Sequence, residues 1–439
     1  MQQMLGTEYA AFEACMQQPH FRGIRVNTLK FDVNQSDRLG LPIRKCPFYD
    51  SGFYLDSDEM SIGNSPWHHA GAFYSQEPSA MSAVTVLDPK PGERVLDMCA
   101  APGGKSTQIA ALLNGEGLLW SNEYVRKRAQ ILLSNVERMG IRNCVVSSTH
   151  PDRLAEGLRG FFDRVLVDAP CSGEGMFRRD PQAVDDWSQE HSATCAVRQL
   201  AILDSAAKCL RDGGVLVYST CTFSFRENED VIASFLDSHP KFCLEPCGVE
   251  FGRPGYDRSD KYDLTLTRRI FPMDGGEGHF AARLRKTGEC FDAPVQTAAA
   301  RQIDDEKRAA ALFAECFHVA PYGRICRIGE SCYLLPELMP DVKGLGVLRG
   351  GVLLGDIMKN RIEPSHALFM AAHAEECKGI VSLSHDSPAL AAFLHGEEIS
   401  VDGSLKGYVA VACEGTVTGF GKCSGGRLKN RYPKGLRTL

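Results

Sequence analysis

Hydrophobic and polar positions follow a regular order between Glu93 and Leu236. Short runs rich in β-branched and other apolar residues are separated by longer segments with helical spacing. The runs are "ERVLDM", "GLLWSN", "CVVSS", "DRVLVD" and "GVLVYST". In the segment "YVRKRAQILLSNVERMG", Leu132, Val136 and Met139 fall on one face of a helix. Short strands that alternate with helices predict an α/β domain with a doubly wound parallel sheet.

The regions on either side of this domain have different patterns. Before it, "GIRVNTLKF" predicts a strand, and glycines and prolines divide the following residues into short elements. After it, "DGGEGHFAARLRK" predicts an antiparallel edge hairpin at about Ile270 to Lys286, and "GYVAVACEGTVTGFGKC" has a β pattern. We therefore expect an N-terminal α+β region at 1–72, the α/β core at 73–287, a linker at 288–306 and a C-terminal α+β domain at 307–439.

The composition is that of a globular protein. The chain has 439 residues, of which 44% are apolar and 24% are charged. No stretch approaches the roughly 18 consecutive apolar residues of a membrane helix. The N-terminus lacks the basic flank and apolar centre of a signal peptide. We therefore expect a cytoplasmic protein without membrane association.

The 17 cysteines are scattered over all regions without a Cys-x-x-Cys pair. In a reducing cytosol, most of them are expected to be buried small hydrophobic residues and not disulfides. The arrangement nearest to a metal site is His239, Cys243 and Cys247, which lacks a fourth ligand. No metal is therefore predicted.

The formal net charge of −6 excludes a protein coated with basic surface but allows a local basic patch. The stretch from Gly419 to Leu439 carries several cations and no acidic residue, together with Phe420 and Tyr432. A solvated tail and a folded nucleic-acid surface both fit this composition. The cations are Lys422, Arg427, Lys429, Arg431, Lys434 and Arg437.

A glycine-containing loop, "CAAPGGKST", lies between the first core strand and a helical segment. Such a loop lets a ligand approach the backbone at a helix N-terminus. Its end matches a P-loop, but the first glycine of that motif falls on Cys99, and Pro102 removes a backbone donor. The P-loop interpretation is therefore disfavoured.

An acidic residue, Glu123, stands at the end of the next predicted strand, twenty residues after Gly103. Doubly wound folds place an acid there to bind ribose hydroxyls. A solvated glutamate that caps the next helix is the alternative. An NAD site would require a fuller G-x-G-x-x-G, whereas S-adenosylmethionine sites tolerate looser loops. Loop and acid together favour a nucleoside cofactor.

Two cysteines follow apolar runs at predicted strand ends, Cys171 in "VLVDAPCSGEGMF" and Cys221 in "VLVYSTCTF". Because ligands of open α/β sheets bind at the carboxyl edge, both thiols should share a cleft with the cofactor. A cysteine hydrolase would need a histidine, and the core's only histidines before residue 239, His150 and His191, are not in convincing strand-end loops. A redox pair would normally be close in sequence.

Methyl transfer to carbon 5 of a pyrimidine uses a thiol in another way. Carbon 5 of cytosine is a poor nucleophile. A thiolate that adds to carbon 6 turns the ring into an enamine, whose carbon 5 can attack a sulfonium methyl group. The adduct must then lose the carbon 5 proton and expel the thiol, which requires a second polar group nearby.

Three motifs in order, "DMCAAPGGK", "DAPCSGEGMFRRDP" and "VYSTCTFSFRENE", resemble those of the Sun-type RNA cytosine-5 methyltransferases, most nearly the RsmF-like branch. The stretches "RGIRVNTLK", "YSQEPSA" and "KNRYPKGLR" extend the resemblance over nearly the whole chain. The resemblance implies a doubly wound, Rossmann-like methyltransferase core between an N-terminal α+β domain and a C-terminal PUA-like α+β domain.

The resemblance also implies roles for individual residues. Cys221 would be the nucleophile, and Cys171 would assist release of the methylated base. Asp168 would lie between cofactor and target base, where a carboxylate accepts from the cytosine amino group; a strand-end cap is the alternative. The aspartate that relatives often use for the adenine amino group is replaced by "SSTHPDRL", in which His150 or Asp152 can substitute. The residues implied to bind S-adenosylmethionine are Cys99, Ala100, Ala101, Pro102, Gly103, Gly104, Lys105, Glu123 and Asp168.

The implied substrate is structured RNA, with small-subunit ribosomal RNA preferred and transfer RNA as the alternative. The target base must be unstacked to reach the thiols, which favours loops and bulges. A catalytically idle RNA-binding assembly factor is the alternative of a different class, although it would need neither the cysteines nor Glu123. We expect a monomer in which Lys105 and Arg128 orient the site. The expected RNA contacts are Arg128, Lys422, Lys429, Arg431, Lys434 and Arg437.

Overall fold

The computed structural model describes residues 1–57, 61–288 and 304–438, which form four sheets. The linker expected at 288–306 lies almost entirely outside these residues. Among the residues described, no helix combines the length and the apolar character needed to cross a bilayer.

The N-terminal region is built on an antiparallel sheet. Its helices are α1 (Gln2–Leu5), α2 (Tyr9–Met16) and α3 (Pro66–His69), and its strands are β1 (Gly23–Val26), β2 (Ile43–Lys45), β3 (Gly52–Leu55) and β4 (Phe73–Ser75). The strand order is β2-β3-β1-β4. The strand predicted in "GIRVNTLKF" is β1, and β4 pairs with it just after the expected boundary at residue 72.

The core is the predicted α/β domain. Its strands are β5 (Arg94–Asp97), β6 (Leu118–Asn122), β7 (Cys144–Ser147), β8 (Phe162–Asp168), β9 (Leu210–Thr220), β10 (Phe242–Glu245), β11 (Arg253–Pro254), β12 (Arg268–Ile270) and β13 (His279–Lys286). Its helices are α4 (Ser82–Leu87), α5 (Gly104–Leu113), α6 (Arg126–Arg138), α7 (Pro151–Gly157), α8 (Pro181–Asp185), α9 (Gln189–Cys209) and α10 (Glu229–Ser238). Strands β9-β8-β5-β6-β7 run parallel, which confirms the predicted sheet.

The burial pattern explains why this sheet could be predicted. Every residue of β5, β6 and β7 is buried, as expected where helices cover both faces of a parallel sheet. The apolar face of α6, with Leu132, Val136 and Met139, is buried as well. The predicted hairpin is also present, since β13 pairs antiparallel with β12 and with β9.

The C-terminal region contains two further sheets. Its strands are β14 (Arg324–Ile328), β15 (Ser331–Leu335), β16 (Val347–Gly350), β17 (Val352–Ile357), β18 (Ile362–Pro364), β19 (Ile380–Leu383), β20 (Ile399–Ser400), β21 (Gly407–Cys413), β22 (Thr416–Ser424) and β23 (Arg427–Asn430). Its helices are α11 (Asp304–Cys316), α12 (His366–Met370) and α13 (Pro388–His395). The sheets are β14-β15-β17-β18 and β19-β21-β22-β23-β20, while β16 pairs with β7 and extends the core sheet.

The two terminal regions share one hydrophobic core. A single cluster joins Ile24 and Trp67 of the N-terminal region to Phe393 and Val411 of the C-terminal region. Lys30 adds two hydrogen bonds across the same junction, from its Nζ to carbonyl oxygens of α12 and β22 at 3.0 and 2.8 Å. The terminal regions therefore pack as one body beside the catalytic core.

Candidate active site

The thiols of Cys171 and Cys221 lie side by side at the carboxyl edge of the core sheet. Strands β8 and β9 are parallel neighbours, with Asp168 opposite Ser219, so the loops that carry the two cysteines leave the sheet together. The two Sγ atoms are 3.3 Å apart, within hydrogen-bonding distance. The structure thus brings together two cysteines that are 50 residues apart in sequence.

Cys171 is unsuited to act as a nucleophile in this state of the site. The hydrogen bond with Cys221, followed by burial, raises the pKa of Cys171 well above its usual value. A thiol with a raised pKa stays protonated near neutral pH, and the protonated form is a poor nucleophile. This direction agrees with a role for Cys171 other than attack on the base.

A partly buried ion pair connects the end of β8 to the glycine loop. Lys105 donates from Nζ to Oδ2 of Asp168 at 2.7 Å, and the Ser219 hydroxyl donates to Oδ1 at 2.8 Å. Burial tends to raise the pKa of Asp168, but the Lys105 ammonium, with His279 and these hydrogen bonds, holds it below its usual value. Asp168 is therefore an ionised acceptor beside the thiol pair.

Lys105 also faces Cys221. Burial lowers the pKa of Lys105, but Asp168, with a contribution from Cys221, outweighs burial and raises it. The ammonium therefore stays charged in the buried site.

A histidine that the sequence analysis missed lies in the same site. His279 is the first residue of β13, and its Nε2 is 3.9 Å from Oδ1 of Asp168. Burial, followed by repulsion from Lys105, lowers the pKa of His279 to about 3, so the imidazole is neutral. Its Nε2 is buried and has no hydrogen-bond partner among the residues described. The sequence signal that could have indicated this histidine was the predicted hairpin strand beside β9, in which His279 is the first residue.

The glycine loop is anchored from one side by α6. Arg128 donates from Nη2 to the Ala101 carbonyl at 3.0 Å, and Asn135 donates from Nδ2 to the Pro102 carbonyl at 2.9 Å. Gly103 has a φ of 118°, a left-handed conformation that other residues avoid. Because side chains of α6 hydrogen-bond these two carbonyl groups, they fix the backbone of the loop between β5 and α5.

Glu123 is buried directly after β6. Its Oε1 accepts from the Val125 backbone N–H at 2.8 Å, and its Oε2 lies 3.3 Å from Nη1 of Arg128. Arg128, expected both to orient the site and to contact RNA, therefore contacts Glu123 and the glycine loop. Glu123 and this loop form one side of the candidate cofactor site.

Asp97 is a second residue that the sequence analysis missed. It ends β5 and is fully buried, with Oδ2 accepting from the Ser106 hydroxyl at 2.7 Å. Its Oδ1 has no hydrogen-bond partner in the part of the chain that is described. Burial, opposed by the Ser106 hydrogen bond, raises the pKa of Asp97 to about 7. The strand-end position in "RVLDM" was the available signal, as it was for Asp168.

Two residues considered for the adenine contact differ in their surroundings. His150 precedes α7, and its ring centroid is 5.6 Å from that of Tyr124, the residue after Glu123. Asp152 accepts from the Ser205 hydroxyl at 2.6 Å and belongs to the α7–α9 contact. The two side chains also contact each other, with His150 Nδ1 3.4 Å from Asp152 Oδ2, and His150 is the one that contacts the residue next to Glu123.

The cysteine–histidine group considered for a metal is held by other contacts. His239 stacks on Phe235 at 4.2 Å, while Cys243 and Cys247 direct their thiols to backbone carbonyl groups. Over the described ranges, no cluster of three or more potential ligands could hold a metal ion.

The basic stretch near the C-terminus is folded. Lys422 of β22 lies opposite Lys429 of β23, and both are exposed. Arg431 pairs with Glu363 at 2.8 Å, and Arg437 donates to the Tyr432 carbonyl at 3.5 Å, so these two arginines are anchored. Within the described part of this basic stretch, the exposed lysines without an ion pair are Lys422, Lys429 and Lys434.

Comparisons with known proteins cover nearly all of the chain. A family model described as the 16S rRNA methyltransferase RsmB/F matches residues 84–285. Models of the N-terminal domain, the first C-terminal domain and the PUA domain of RsmF match residues 1–78, 312–371 and 381–438. The chain is 34% identical to the ribosomal RNA small subunit methyltransferase F of Vibrio vulnificus over 97% of this chain and 93% of that protein. The corresponding protein of Aeromonas salmonicida is 35% identical over 97% and 92% of the two chains.

The chain belongs to the RsmF family of Sun-type methyltransferases. It is an RNA methyltransferase with a Rossmann-like core and a C-terminal PUA domain, as the resemblance implied. A methyltransferase homolog from Pyrococcus horikoshii is similar in structure, with a TM-score of 0.55, 32% identity and coverage of 64% of this chain and 91% of that chain. NSun6 from the same organism, at 24% identity, shares the fold, with a TM-score of 0.57 and coverage of 66% and 97%.

Proposed function

We propose that this RsmF family member transfers a methyl group from S-adenosylmethionine to carbon 5 of a cytosine in small-subunit ribosomal RNA. Cys221 is the nucleophile, and Cys171 assists release of the product. The observation that carries the proposal is the 3.3 Å thiol pair beside the Lys105–Asp168 ion pair. The relatives' names, which specify the small ribosomal subunit, support the choice of RNA.

The glycine-loop site fits S-adenosylmethionine by the chemistry of its polar groups. Glu123 offers a buried carboxylate for ribose hydroxyls. Asp97 offers an unpartnered buried oxygen for an amino or hydroxyl donor. His150, beside Tyr124, replaces the missing aspartate at the adenine end. When bound, the cofactor supplies an electrophilic methyl group, and the loop from Cys99 to Lys105 binds it.

Asp168 orients the cytosine. The Lys105 ammonium keeps its carboxylate ionised, so it can accept from the exocyclic amino group, which distinguishes cytosine from uracil. The same ion pair fixes the position of the Lys105 ammonium. The target nucleotide must leave its stack to reach this buried edge, so a loop or bulge is the favoured site.

The thiol pair performs the covalent steps. The Cys221 thiolate adds to carbon 6 and makes carbon 5 nucleophilic. Once Cys221 is bonded to carbon 6, it no longer accepts the hydrogen bond that raises the pKa of Cys171. Cys171 can then lose its own proton to solvent and, once carbon 5 carries the methyl group, take up the carbon 5 proton as a thiolate. The electrons of that C–H bond re-form the double bond between carbons 5 and 6, and the bond between carbon 6 and sulfur breaks, which expels Cys221 as a thiolate.

Two single substitutions test this assignment. Cys221→Ala should bind RNA and cofactor but yield neither product nor covalent bond, because no thiolate reaches the ring. Cys171→Ala should be methylated through Cys221 and then stall, so a protein–RNA adduct that survives denaturing electrophoresis should accumulate. The double variant should form no adduct.

The outcomes separate the alternatives. An adduct with Cys221→Ala and none with Cys171→Ala would reverse the two roles. Full activity in both variants would exclude covalent catalysis by this pair.

A separate experiment identifies the RNA substrate. Labelled S-adenosylmethionine is incubated with the enzyme and, in separate reactions, with small subunits, free ribosomal RNA or transfer RNA. Absence of label in all three would favour the idle assembly factor.

A further inference from the structure

Two carboxylates in the same motifs as the thiols have no part in the reaction described above. Glu174 follows Cys171 in "DAPCSGEGMF", and Glu227 follows Cys221 in "STCTFSFRENE". Counting only described residues, neither carboxylate forms an ion pair, and their partners are neutral donors. An unpaired buried carboxylate is costly, so its hydrogen bonds indicate what it fixes.

Glu174 belongs to the Cys171 loop but binds the Cys221 loop. Its Oε2 accepts from the Thr222 hydroxyl at 2.8 Å and from the Phe223 backbone N–H at 2.7 Å. These donors are on the two residues that follow Cys221. Glu174 therefore fixes the backbone on which the Cys221 thiol is mounted.

Glu227 makes the reciprocal contact. It lies after the Cys221 loop, is fully buried, and accepts through Oε2 from the Ser172 backbone N–H at 2.9 Å. Ser192 and Gln199 of α9 donate to its two oxygens at 2.7 and 3.0 Å, which fixes the carboxylate itself. Glu227 therefore fixes the residue next to Cys171 and anchors it to α9.

Two more hydrogen bonds join the same loops. The hydroxyls of Ser172 and Thr222 are 3.0 Å apart, and the Gly175 backbone N–H donates to the Cys221 carbonyl at 2.8 Å. Apart from the two α9 donors to Glu227, each of these hydrogen bonds joins the Cys171 loop to the Cys221 loop or to the residues that follow it. The 3.3 Å separation of the thiols is thus set by two crossed carboxylates and not by the sheet alone.

We propose that Glu227 is the positioning residue of Cys171 and Glu174 the positioning residue of Cys221. The inference rests on the proposed covalent mechanism and adds to it a division of labour between the carboxylates. Loss of Glu227 frees the Cys171 loop and impairs release. Loss of Glu174 frees the Cys221 loop and impairs attack.

The two losses should therefore differ in the adduct that they leave. Glu227→Ala should attack, methylate and stall, so its adduct at steady state should exceed that of the wild type by about tenfold, the change expected for loss of one hydrogen bond to a charged group. Glu174→Ala should form less adduct than the wild type and show a lower kcat. The KM for RNA should change little in either, because both carboxylates are engaged in hydrogen bonds within the protein and lie outside the proposed RNA-binding surface.

The experiment compares adduct and product for the full-length variants on small-subunit RNA, with Cys171→Ala as the trapped reference. Glu245→Ala is the matched control, since Glu245 is a carboxylate of β10 bonded to Arg283 and Arg285, away from the thiols. It should match the wild type in adduct and product. Glu227→Gln and Glu174→Gln retain an acceptor oxygen and should recover most of the turnover.

A second readout does not depend on RNA. Iodoacetamide labelling followed by peptide mass spectrometry should show faster alkylation of Cys171 in Glu227→Ala and of Cys221 in Glu174→Ala, because each thiol leaves the pair. If Glu227→Ala fails to fold, Glu227→Asp replaces it in the same labelling, because the shorter side chain keeps the charge but draws the carboxylate away from the Ser172 backbone N–H. Equal adduct levels in the two Ala variants, with equal alkylation of the two thiols, would overturn the inference. If Cys171→Ala itself accumulates no protein–RNA adduct, the proposed covalent mechanism is wrong, and not only the positioning roles of the two carboxylates.

Discussion

The thiol site and the C-terminal basic surface differ in how their side chains are fixed. In the thiol site, Asp168 is held by Lys105 and Ser219 from two other elements. On the basic surface, Lys429 and Lys434 are exposed, and within the described part of the chain they have no ion pair. Bond formation needs fixed distances, whereas binding to phosphate needs only positive charge within reach.

This difference predicts two kinds of response to substitution. A change in the thiol site acts through geometry and desolvation, so it should depend on pH and little on salt. A change on the basic surface acts through the number of charges, so it should depend strongly on salt.

Lys105→Met should give the largest effect, because it leaves the Asp168 charge in the site without its cation. Removal of one partner of a fully buried pair costs about 3–5 kcal/mol. Because the Asp168 side chain is 29% exposed, we expect a cost at the lower end of that range, which urea unfolding near neutral pH should detect. The pKa of Asp168 lies below its usual value of 3.8, so the pair stabilises above that pH and loses its effect as pH falls through the folded-state pKa. The variant and wild type should therefore converge in acid; a cost independent of pH would contradict the assignment.

Asp97→Asn should stabilise the protein, and more so at higher pH. The folded-state pKa of Asp97, about 7, lies above the usual 3.8, so wild-type stability falls as pH rises between these values. Asparagine does not ionise and so avoids this loss in the free energy of unfolding. A pKa shift of the size seen for Asp97 corresponds to a loss of about 2–4 kcal/mol. Urea unfolding at about pH 5 and about pH 8 measures the difference. A variant that gains nothing on going to the higher pH would show that Asp97 is ionised at no cost.

Glu123→Ala should weaken S-adenosylmethionine binding by tenfold or more while RNA affinity stays unchanged. A charged hydrogen-bond partner contributes about 1.5–3 kcal/mol, and calorimetry measures the loss directly. Glu116→Ala, at an exposed turn before β6, is the control and should bind the cofactor normally. Unchanged affinity in Glu123→Ala would remove Glu123 from the site.

The triple change of Lys422, Lys429 and Lys434 to Ala tests the other side of the comparison and should have the smallest effect at physiological salt. RNA affinity should fall several-fold, and the slope of log affinity against log salt should flatten by roughly 0.7–0.9 per lost contact. Arg431→Ala, which removes a cation already paired with Glu363, should change the slope less. Anisotropy titrations at increasing KCl measure both. An unchanged slope would mean that this surface is not an RNA contact.

The same comparison explains what could be predicted from sequence. Strands β5 to β9 were evident because parallel strands covered on both faces are continuous apolar runs. Cys171 and Cys221 were found because both follow such runs, and parallel strands end at one edge. Strand β16 was not anticipated, because its partner β7 lies about 200 residues away and no local pattern encodes that pairing.

The residues that were missed have specific physical reasons. His279 is the first residue of β13, which runs antiparallel to β9. The beginning of β13 therefore lies at the carboxyl edge of the parallel strands, where Phe280 pairs with Thr220 at the end of β9. Glu227 belongs to the charged stretch "FRENED", a pattern typical of a solvated surface, yet it is completely buried and accepts from three donors, one in the Cys171 loop and two on α9. Such burial depends on tertiary partners, which charge patterning does not show.

The shared core of the terminal regions has a consequence for biosynthesis. Lys30 finds its carbonyl acceptor in β22 only after a further 387 residues have been made. At about 5–20 residues per second, the ribosome needs roughly 20–80 s to add them. Throughout that interval, Ile24 and Trp67 lack the C-terminal side chains that cover them. We therefore expect the nascent N-terminal sheet to bind chaperones until the C-terminal region has been made, and ribosome stalling late in the message should expose the chain to proteolysis at its beginning.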